Sequence, residues 1–296
     1  MTQQLALGTA QFGLDYGITN ASGRVVAGEA PRMLQCAWEG GARMLDTAPA
    51  YGDSESALGA AFGAEVTRPW RIVTKTLPLR TPQVDAPGLA RVAAAFRGSL
   101  AHLRAAAVDT LLVHHADDLL VPGGDALYRW LRGEQEAGRA RRIGASVYDG
   151  EQVRALLARY RLDAVQLPAS IADQRLLADG TVQRLQDAGV EIHVRSLYLQ
   201  GLLLAGPAFV AQRFAPQAAW AQGLHDECRS RGVSALQACL SFFRSQPGFA
   251  VAVVGAASVE EVRALVEAWQ SSPAMDWSGW AVDNPSFTDP RQWNQS

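Results

Sequence analysis

The sequence predicts a single α/β domain that spans residues 1–296 and folds as a (β/α)8 TIM barrel. First, eight short apolar or β-branched runs alternate with longer amphipathic segments along the whole chain. Strands that alternate with helices form a parallel sheet, and eight such units in a chain of this length favour a closed barrel. Second, residues 7–13 have the sequence LGTAQFG, and no Gly-x-Gly-x-x-Gly follows the first run. This argues against an open dinucleotide-binding sheet.

The eight predicted strands cover residues 5–8, 43–46, 71–76, 109–115, 142–146, 164–167, 191–196 and 249–255. Between them, apolar residues recur at steps of three and four, as expected for helices that bury one face. The clearest predicted helices cover residues 88–105, 150–160, 176–188 and 258–269. The last of these begins with Ser258 and has two Glu residues in its first turn, which is typical of a helix N-terminus.

Two segments fall outside the repeat. One is an extended loop after strand seven, from Leu202 to about Ala219, and the other is a C-terminal tail with Trp and Pro residues from Pro273 onward. Insertions of this kind often lie over one face of a barrel and form part of its pocket. Packing of the tail against the flank of the barrel is an equally good interpretation.

Composition excludes several classes of partner. The chain is 48% hydrophobic and 19% charged, with a formal net charge of −2. We therefore expect no basic face for nucleic acid or for an anionic membrane. Charge-free apolar stretches such as residues 201–211 are too short to span a bilayer, and the first basic residue is Arg24. With no basic leader before an apolar core, we expect a cytoplasmic protein.

The three cysteines are scattered and show no metal-binding spacing, so no metal site is predicted.

Among 27 basic residues, only Lys75 is a lysine. Codon bias explains why the others are arginines, because either residue serves on a solvated surface. Lys75 differs from them because an arginine cannot act as a titratable amine.

Polar side chains stand at the ends of three consecutive strands: Asp46, Lys75 and His114. In a barrel of this type the carboxyl ends of the strands carry the reactive groups, so these side chains are expected to converge. Tyr51 lies five residues after Asp46 and can fold back over it. Taken singly, an Asp can cap a helix, and a Tyr or a His can be structural. A buried lysine needs a partner, however, and Asp46 is the obvious one.

In these strand ends and in several other short segments, the sequence resembles the aldo-keto reductase superfamily. The resemblance is carried, in family order and spacing over nearly the whole chain, by GT at 8–9, DTA at 46–48, YG at 51–52, SE at 54–55, TK at 74–75, LVH at 112–114, IGAS at 143–146, VQ at 165–166 and VVGA at 253–256. Residues 195–203, RSLYLQGLL, are similar to the strand-seven motif of a bacterial subgroup.

The resemblance implies a catalytic tetrad of Asp46, Tyr51, Lys75 and His114. Carbonyl reduction needs a hydride from a nicotinamide and a proton for the developing alkoxide. An ammonium beside a phenol favours phenolate, and a carboxylate behind the ammonium holds it in place. A neutral imidazole can polarise the carbonyl oxygen. Tyr51 is therefore the expected general acid/base.

The resemblance also implies a cofactor site. Ser146 and Gln166 are expected to hydrogen-bond the nicotinamide carboxamide, although the Asn that usually follows the Ser is replaced by Val147. Arg195 stands where the family commonly has an aromatic residue under the nicotinamide ring, so we expect its planar guanidinium to lie against the cofactor. Further expected contacts come from Gly8, Thr9, Asp46, Ser196, Leu197, Gly201, Gly255, Ala257 and Glu261.

The choice between the two cofactors rests on the residues after strand eight. The family favours NADP(H), and many of its members hold the 2′-phosphate there with Lys or Arg. This sequence has Ala256, Ala257 and Glu261, with Arg263 the nearest base, which leans toward NAD(H). A carboxylate disfavours a phosphate and can accept from a ribose hydroxyl. We rank NADP(H) narrowly first.

The expected partner is a small-molecule substrate with an aldehyde, ketone or sugar carbonyl, reduced to an alcohol or formed in reverse. Residues that can wall its pocket, or simply fill the core, are Phe12, Tyr16, Tyr148, Tyr198, Trp277, Trp280 and Trp293. Two alternatives stay open. Lys75 also suits a Schiff-base aldolase, which would leave Tyr51 and His114 idle. A nicotinamide-binding regulatory subunit of the same fold would not need the intact tetrad.

Overall fold

The computed structural model describes residues 2–26, 28–64 and 69–293, so Met1, Ala27 and residues 65–68 and 294–296 of the predicted domain lie outside it. Eight strands each pair in parallel with the next, and β8 pairs with β1 to close a barrel. The predicted (β/α)8 fold is confirmed. The strands are β1 (Gln4–Gly8), β2 (Met44–Asp46), β3 (Arg71–Lys75), β4 (Val108–Val113), β5 (Ala140–Ser146), β6 (Ala164–Pro168), β7 (Glu191–Arg195) and β8 (Val251–Gly255).

The helices of the described residues lie between and after these strands. They are α1 (Ala10–Gly13), α2 (Ala30–Glu39), α3 (Ser54–Ala64), α4 (Ala86–His102), α5 (Gly124–Glu136), α6 (Gly150–Arg159), α7 (Arg175–Ala178), α8 (Thr181–Asp187), α9 (Pro207–Arg213), α10 (Ala218–Ser230), α11 (Ala235–Arg244), α12 (Val259–Ser271) and α13 (Pro285–Thr288). Short 3₁₀ turns join several of them.

One predicted helix is interrupted. The helix expected over residues 176–188 is divided into α7 and α8, because Gly180 between them has φ +76°, a left-handed conformation that ends a helix. The predicted start of α12 agrees with the structure. The Ser258 hydroxyl accepts a hydrogen bond from the backbone N–H of Glu261 and caps the helix.

The interior of the barrel explains where the polar strand ends point. A buried apolar cluster separate from the main core comprises Ala6, Met44, Val73, Leu112, Ala164, Ala250, Val251 and Val253. Side chains two residues apart on a strand share a face. Asp46, Lys75, His114 and Gln166 each lie two residues beyond a member of this cluster. The apolar residues therefore fill the barrel below, and the polar residues crown it at the carboxyl ends of the strands.

The two segments outside the repeat are largely packed structure. The segment from 202 to 219 includes the helix α9, and the tail packs on the helices that follow β7. The indole N–H of the buried Trp277 donates to the Ser241 hydroxyl of α11 at 3.2 Å. Trp280 contacts Trp220 of α10 edge to face, with 6.2 Å between ring centroids. The flank-packing interpretation thus describes these tryptophans.

Within the described residues, no helix combines the length and apolar character needed to cross a membrane. Cys228 and Cys239 are buried and Cys36 is half-buried, and all three are free thiols.

Candidate active site

Asp46 and Lys75 form a buried ion pair at the top of the barrel. The Lys75 Nζ donates to Asp46 Oδ1 at 2.6 Å and to the Thr47 carbonyl oxygen at 3.0 Å. The second carboxylate oxygen of Asp46 accepts from the Gln166 side-chain amide at 2.7 Å. Only 1% of the Lys75 surface is exposed. Burial lowers the pKa of Lys75, but Asp46 and Tyr51 raise it more, so the net shift is upward and the amine stays charged.

Tyr51 lies over this pair and is half-buried. The Lys75 Nζ is 4.9 Å from the centroid of its ring. Burial raises the pKa of Tyr51, and the Lys75 ammonium opposes that rise without cancelling it. The Lys75 ammonium favours phenolate, as expected from the sequence, but burial has the larger effect on the pKa of Tyr51. Tyr51 is therefore a protonated phenol at neutral pH, the form that a proton donor needs.

His114 stands beside Tyr51. The two rings meet edge to face, with 5.8 Å between centroids and 88° between planes. Burial, followed by the charge of Lys75, lowers the pKa of His114 to about 3. The imidazole is therefore neutral at physiological pH. Its Nδ1 is buried and has no hydrogen-bond partner among the described residues.

A cluster of three hydroxyls fixes the loop between Asp46 and Tyr51. The Thr9 Oγ1 donates to the Asp46 carbonyl oxygen at 3.0 Å, and the Ser54 Oγ donates to the Thr9 carbonyl oxygen at 2.8 Å. Thr47 Oγ1 and Ser54 Oγ are 3.0 Å apart. All three hydroxyl residues are buried. The bonds tie the end of β1 to the start of α3, so the turn that carries Tyr51 is held against the barrel.

A cavity of about 550 Å³ opens above the tetrad. Asp46, Tyr51 and His114 line it, whereas Lys75 lies behind them and does not. It extends from the centre of the barrel to the start of α12, and its size is within the range of ligand sites. The structure brings every predicted cofactor residue to its wall: Gly8, Thr9, Asp46, Ser146, Gln166, Arg195, Ser196, Leu197, Gly201, Gly255, Ala257 and Glu261.

Glu261 lies at the outer end of the cavity, in the first turn of α12. Its Oε2 accepts a hydrogen bond from the backbone N–H of Ala257 at 2.7 Å. Arg263 is not among the residues that line the cavity. The charged side chain at this end is therefore an acid.

Of the aromatic candidates, Tyr16, Tyr148 and Tyr198 line the cavity. The Tyr198 hydroxyl donates to the Gly255 carbonyl oxygen at 2.5 Å and so joins the loop after β7 to the end of β8. The others lie in the core or on the flank and not on the cavity wall: Phe12, Trp277, Trp280 and Trp293.

The loop after β7 contains strained backbone. Ser196, Leu199 and Gln200 have φ values of +62°, +47° and +54°, in the left-handed region that L side chains rarely adopt. Each costs on the order of 1–3 kcal/mol and is held by its surroundings. The Thr19 hydroxyl, from the loop after β1, donates to the Gln200 carbonyl oxygen at 3.2 Å. Such strain clusters at ligand sites, and here it borders the cavity.

Sequence reasoning missed Gln11, Asn20 and Gln200 as cavity residues. The Gln11 side chain lies so close to Gly255 that a Cβ there would be 2.7 Å from the Gln11 Oε1. Their position in the loops after β1 and β7 was the available signal, because loops at the carboxyl ends of barrel strands form the pocket.

Comparisons with known proteins agree with this fold. The model of the aldo/keto reductase family matches residues 4–278. An aldo-keto reductase from Mycolicibacterium smegmatis is 34% identical over 140 residues, and the match spans 46% of each chain, so about half of that relative's length is covered.

Two solved structures have the same fold. An aldo-keto reductase from Bacillus halodurans in its holo form superposes with a TM-score of 0.72 at 20% identity, over 93% of this chain and 89% of that one. An aldo/keto reductase from Klebsiella pneumoniae in complex with NADP and acetate gives a TM-score of 0.64 at 21% identity, over 90% of this chain and 85% of that one.

The Asp46–Lys75 pair, Tyr51 and His114 thus meet at the inner end of an elongated cavity, at the carboxyl ends of the barrel strands. The chain belongs to the aldo/keto reductase family, in which dependence on NAD(P)H is general.

Proposed function

We propose that the protein is an NAD(P)(H)-dependent reductase that converts an aldehyde or ketone, including the open form of a sugar, to an alcohol, or catalyses the reverse reaction. The observation that carries the proposal is the convergence of Tyr51, His114 and the Asp46–Lys75 ion pair at the inner end of one cavity. The proposed general acid/base is Tyr51.

In the proposed reaction the substrate carbonyl oxygen lies between the Tyr51 hydroxyl and the His114 imidazole. The neutral imidazole hydrogen-bonds and polarises that oxygen. As negative charge develops there, Tyr51 donates its proton, and the Lys75 ammonium stabilises the phenolate that results. Asp46 keeps Lys75 charged and in place. When bound, the nicotinamide supplies the hydride that the carbonyl carbon accepts.

The residues present fit a nicotinamide dinucleotide. Ser146 and Gln166 offer hydrogen-bonding groups at the inner end of the cavity, and Gln166 is oriented by its bond to Asp46. The cavity then continues to Gly255, Ala257 and the start of α12. An extended molecule with a reactive ring at one end and a nucleotide at the other suits this shape.

The form of the dinucleotide depends on the outer end. From the sequence, NADP(H) is favoured narrowly over NAD(H), on the resemblance to the aldo-keto reductase family. The placement of Glu261 on the cavity wall, and of Arg263 away from it, supports NAD(H) instead, because a carboxylate repels the extra 2′-phosphate. We therefore propose that NAD(H) binds at least as tightly as NADP(H).

The two alternatives have less support. A Schiff-base aldolase needs the Lys75 amine to reach the substrate, yet Nζ is engaged by Asp46 and Thr47 and does not line the cavity. Borohydride is thus expected to trap no carbonyl compound on Lys75. A regulatory subunit does not require a proton donor beside a neutral imidazole, which Tyr51 and His114 provide.

The test is a panel of aldehydes, ketones and sugars assayed in parallel with NADPH and NADH by loss of absorbance. We expect turnover in the wild type and a decrease in kcat of about 10²–10⁴-fold in Tyr51→Phe. The dissociation constant of the cofactor, measured by protein fluorescence, should stay within about twofold. Tyr128→Phe is the matched control, because the Tyr128 hydroxyl donates to the Arg161 carbonyl oxygen, outside the cavity wall. Turnover unchanged in Tyr51→Phe would refute the proposed acid.

A further inference from the structure

Arg195 places a positive charge on the wall of the cavity. It is the last residue of β7 and is half-buried. Its Nη2 donates to the Val147 carbonyl oxygen at 3.0 Å, and its Nη1 is 3.5 Å from the Ser196 hydroxyl. The guanidinium carbon lies 4.3 Å from the centroid of the Tyr148 ring. Each of these partners is neutral.

No ion pair joins Arg195 to a carboxylate within the part of the chain that the structure describes. Three other half-buried arginines do have such partners. Arg71 pairs with Asp109, Arg142 with Glu191, and Arg175 with Asp173. A guanidinium has five N–H donors, and its strongest partners are carboxylates and phosphates. Arg195 thus has donors left over and a charge that lacks a counter-charge.

The described residues place no other uncompensated charge at the inner end of the cavity. Apart from Arg195, the wall carries two acidic residues, Asp46 and Glu261. Asp46 is neutralised by Lys75, and Glu261 lies at the opposite end on α12. The charge of Arg195 is also felt at the tetrad, because it adds to burial and to Lys75 in lowering the pKa of His114. The reacting centre is therefore electropositive.

The tail holds the ring on which Arg195 rests. The Arg291 guanidinium carbon lies 3.7 Å from the centroid of Tyr148. Arg291 forms a bidentate ion pair with Asp289, so it contributes packing without a free charge. The Tyr148 ring is thus in contact with two guanidiniums, and only that of Arg195 is left to attract an anion.

We infer that Arg195 binds an anionic group, a carboxylate or a phosphate, on the carbonyl substrate of this site. The inference rests on the proposed function and names its substrate class: small aldehydes or ketones that carry a negative charge a few bonds from the carbonyl. The Val147 carbonyl and the Tyr148 ring hold the guanidinium plane in position. The unused N–H groups of Arg195 then donate hydrogen bonds to the anion. Contact between Arg195 and the cofactor is compatible with this role, because the anion offsets the charge that otherwise disfavours an oxidised nicotinamide.

The test compares matched substrate pairs. 4-Carboxybenzaldehyde and methyl 4-formylbenzoate differ in charge at the same distance from the aldehyde. Glyceraldehyde 3-phosphate and glyceraldehyde form the phosphate pair. We expect the wild type to prefer one anionic member by at least about tenfold in kcat/KM, mainly through KM, and the pair that shows the preference identifies the anion. Arg195→Gln should reduce that selectivity ratio by about 10–100-fold, as expected for a charged hydrogen bond. Arg97→Gln removes an exposed cation of α4 that does not line the cavity, and it should leave the ratio unchanged.

A binding measurement separates this inference from the proposed function. Calorimetry of benzoate and benzamide, with NADH or NADPH saturating, requires no turnover. Tighter binding of benzoate by the wild type, lost in Arg195→Gln, supports the anion site even if no carbonyl compound is reduced. Equal binding of the two ligands by the wild type, or equal losses for both members of each substrate pair in Arg195→Gln, overturns the inference while turnover that depends on Tyr51 stands.

Discussion

The Lys75 ammonium donates a 2.6 Å hydrogen bond to Asp46, and both side chains are withdrawn from solvent at the top of the barrel. A buried charge is tolerated only when it is paired, so each of these residues makes the other possible. The Lys75 ammonium also lies 4.9 Å from the centroid of the Tyr51 ring, where its positive charge acts on the phenol. Structure and chemistry therefore depend on the same contact.

Asp46→Asn should reduce both the stability of the fold and the rate of the reaction. The substitution leaves an uncompensated ammonium in a dry site, which we expect to destabilise the fold by about 3–5 kcal/mol. We also expect kcat to fall by at least about 10²-fold, because Lys75 no longer stabilises the phenolate of Tyr51. Denaturant unfolding and steady-state kinetics measure the two effects.

The double variant Asp46→Asn/Lys75→Met separates them. Removing the orphaned ammonium should restore part of the stability and none of the activity. If the double variant is no more stable than Asp46→Asn, the loss does not arise from a buried charge.

The tail is expected to be an integral part of the fold. Trp277 is 1% exposed, donates to Ser241 and is stacked under the Arg231 guanidinium. Trp277→Ala should therefore reduce the free energy of unfolding by about 3–5 kcal/mol. Val26→Ala, at a position that is 69% exposed, is the control and should change it by less than about 0.5 kcal/mol. A similar stability for the two variants would show that the tail adds little to the barrel.

Much of the site could be predicted because a barrel maps sequence order onto space. The ends of consecutive strands are neighbours, so a polar residue at each end is enough to place Asp46, Lys75 and His114 together. The positions of the eight strands followed from short apolar runs in the same way, and each predicted end lies within two residues of the observed one. The predicted helix over 176–188 failed because periodicity does not register the backbone conformation of a single residue, here Gly180 with φ +76°.

The rest of the site depends on loops, for which the sequence has no equivalent rule. That Tyr148 contacts both Arg195 and Arg291 could not be foreseen, because residues 148 and 291 meet only through the course of the tail. The balance of effects on Tyr51 was also hidden. Its net pKa shift depends on how deeply the ring is buried, which the spacing of residues does not reveal.

Acid should destabilise the protein through His114. Its pKa is about 3 in the folded protein and about 6.5 when unfolded. Between these values the unfolded chain binds a proton at His114 that the folded chain does not. The contribution of His114 to stability is therefore fully present above pH 6.5 and is lost as the pH falls toward 3. His114→Gln should make the free energy of unfolding less dependent on pH over this interval, as measured by denaturant titrations at pH 4, 5, 6 and 7. An unchanged slope would mean that His114 is not held neutral by the fold.

Glu261 should determine the preference between the two dinucleotides. Its carboxylate lies on the cavity wall at the start of α12, where it accepts a hydrogen bond from Ala257. There it would repel the additional 2′-phosphate of NADP(H). Glu261→Gln retains an oxygen that can accept that bond and removes the charge. We expect the ratio of the NADPH to the NADH dissociation constant to fall by about fivefold, equivalent to about 1 kcal/mol at a partly exposed helix end. Glu260→Gln is the matched control, because Glu260 carries the same charge one residue away and does not line the cavity. Fluorescence titration of both cofactors gives the ratio, and equal shifts in the two variants would assign the effect to the general field of the helix end and not to Glu261.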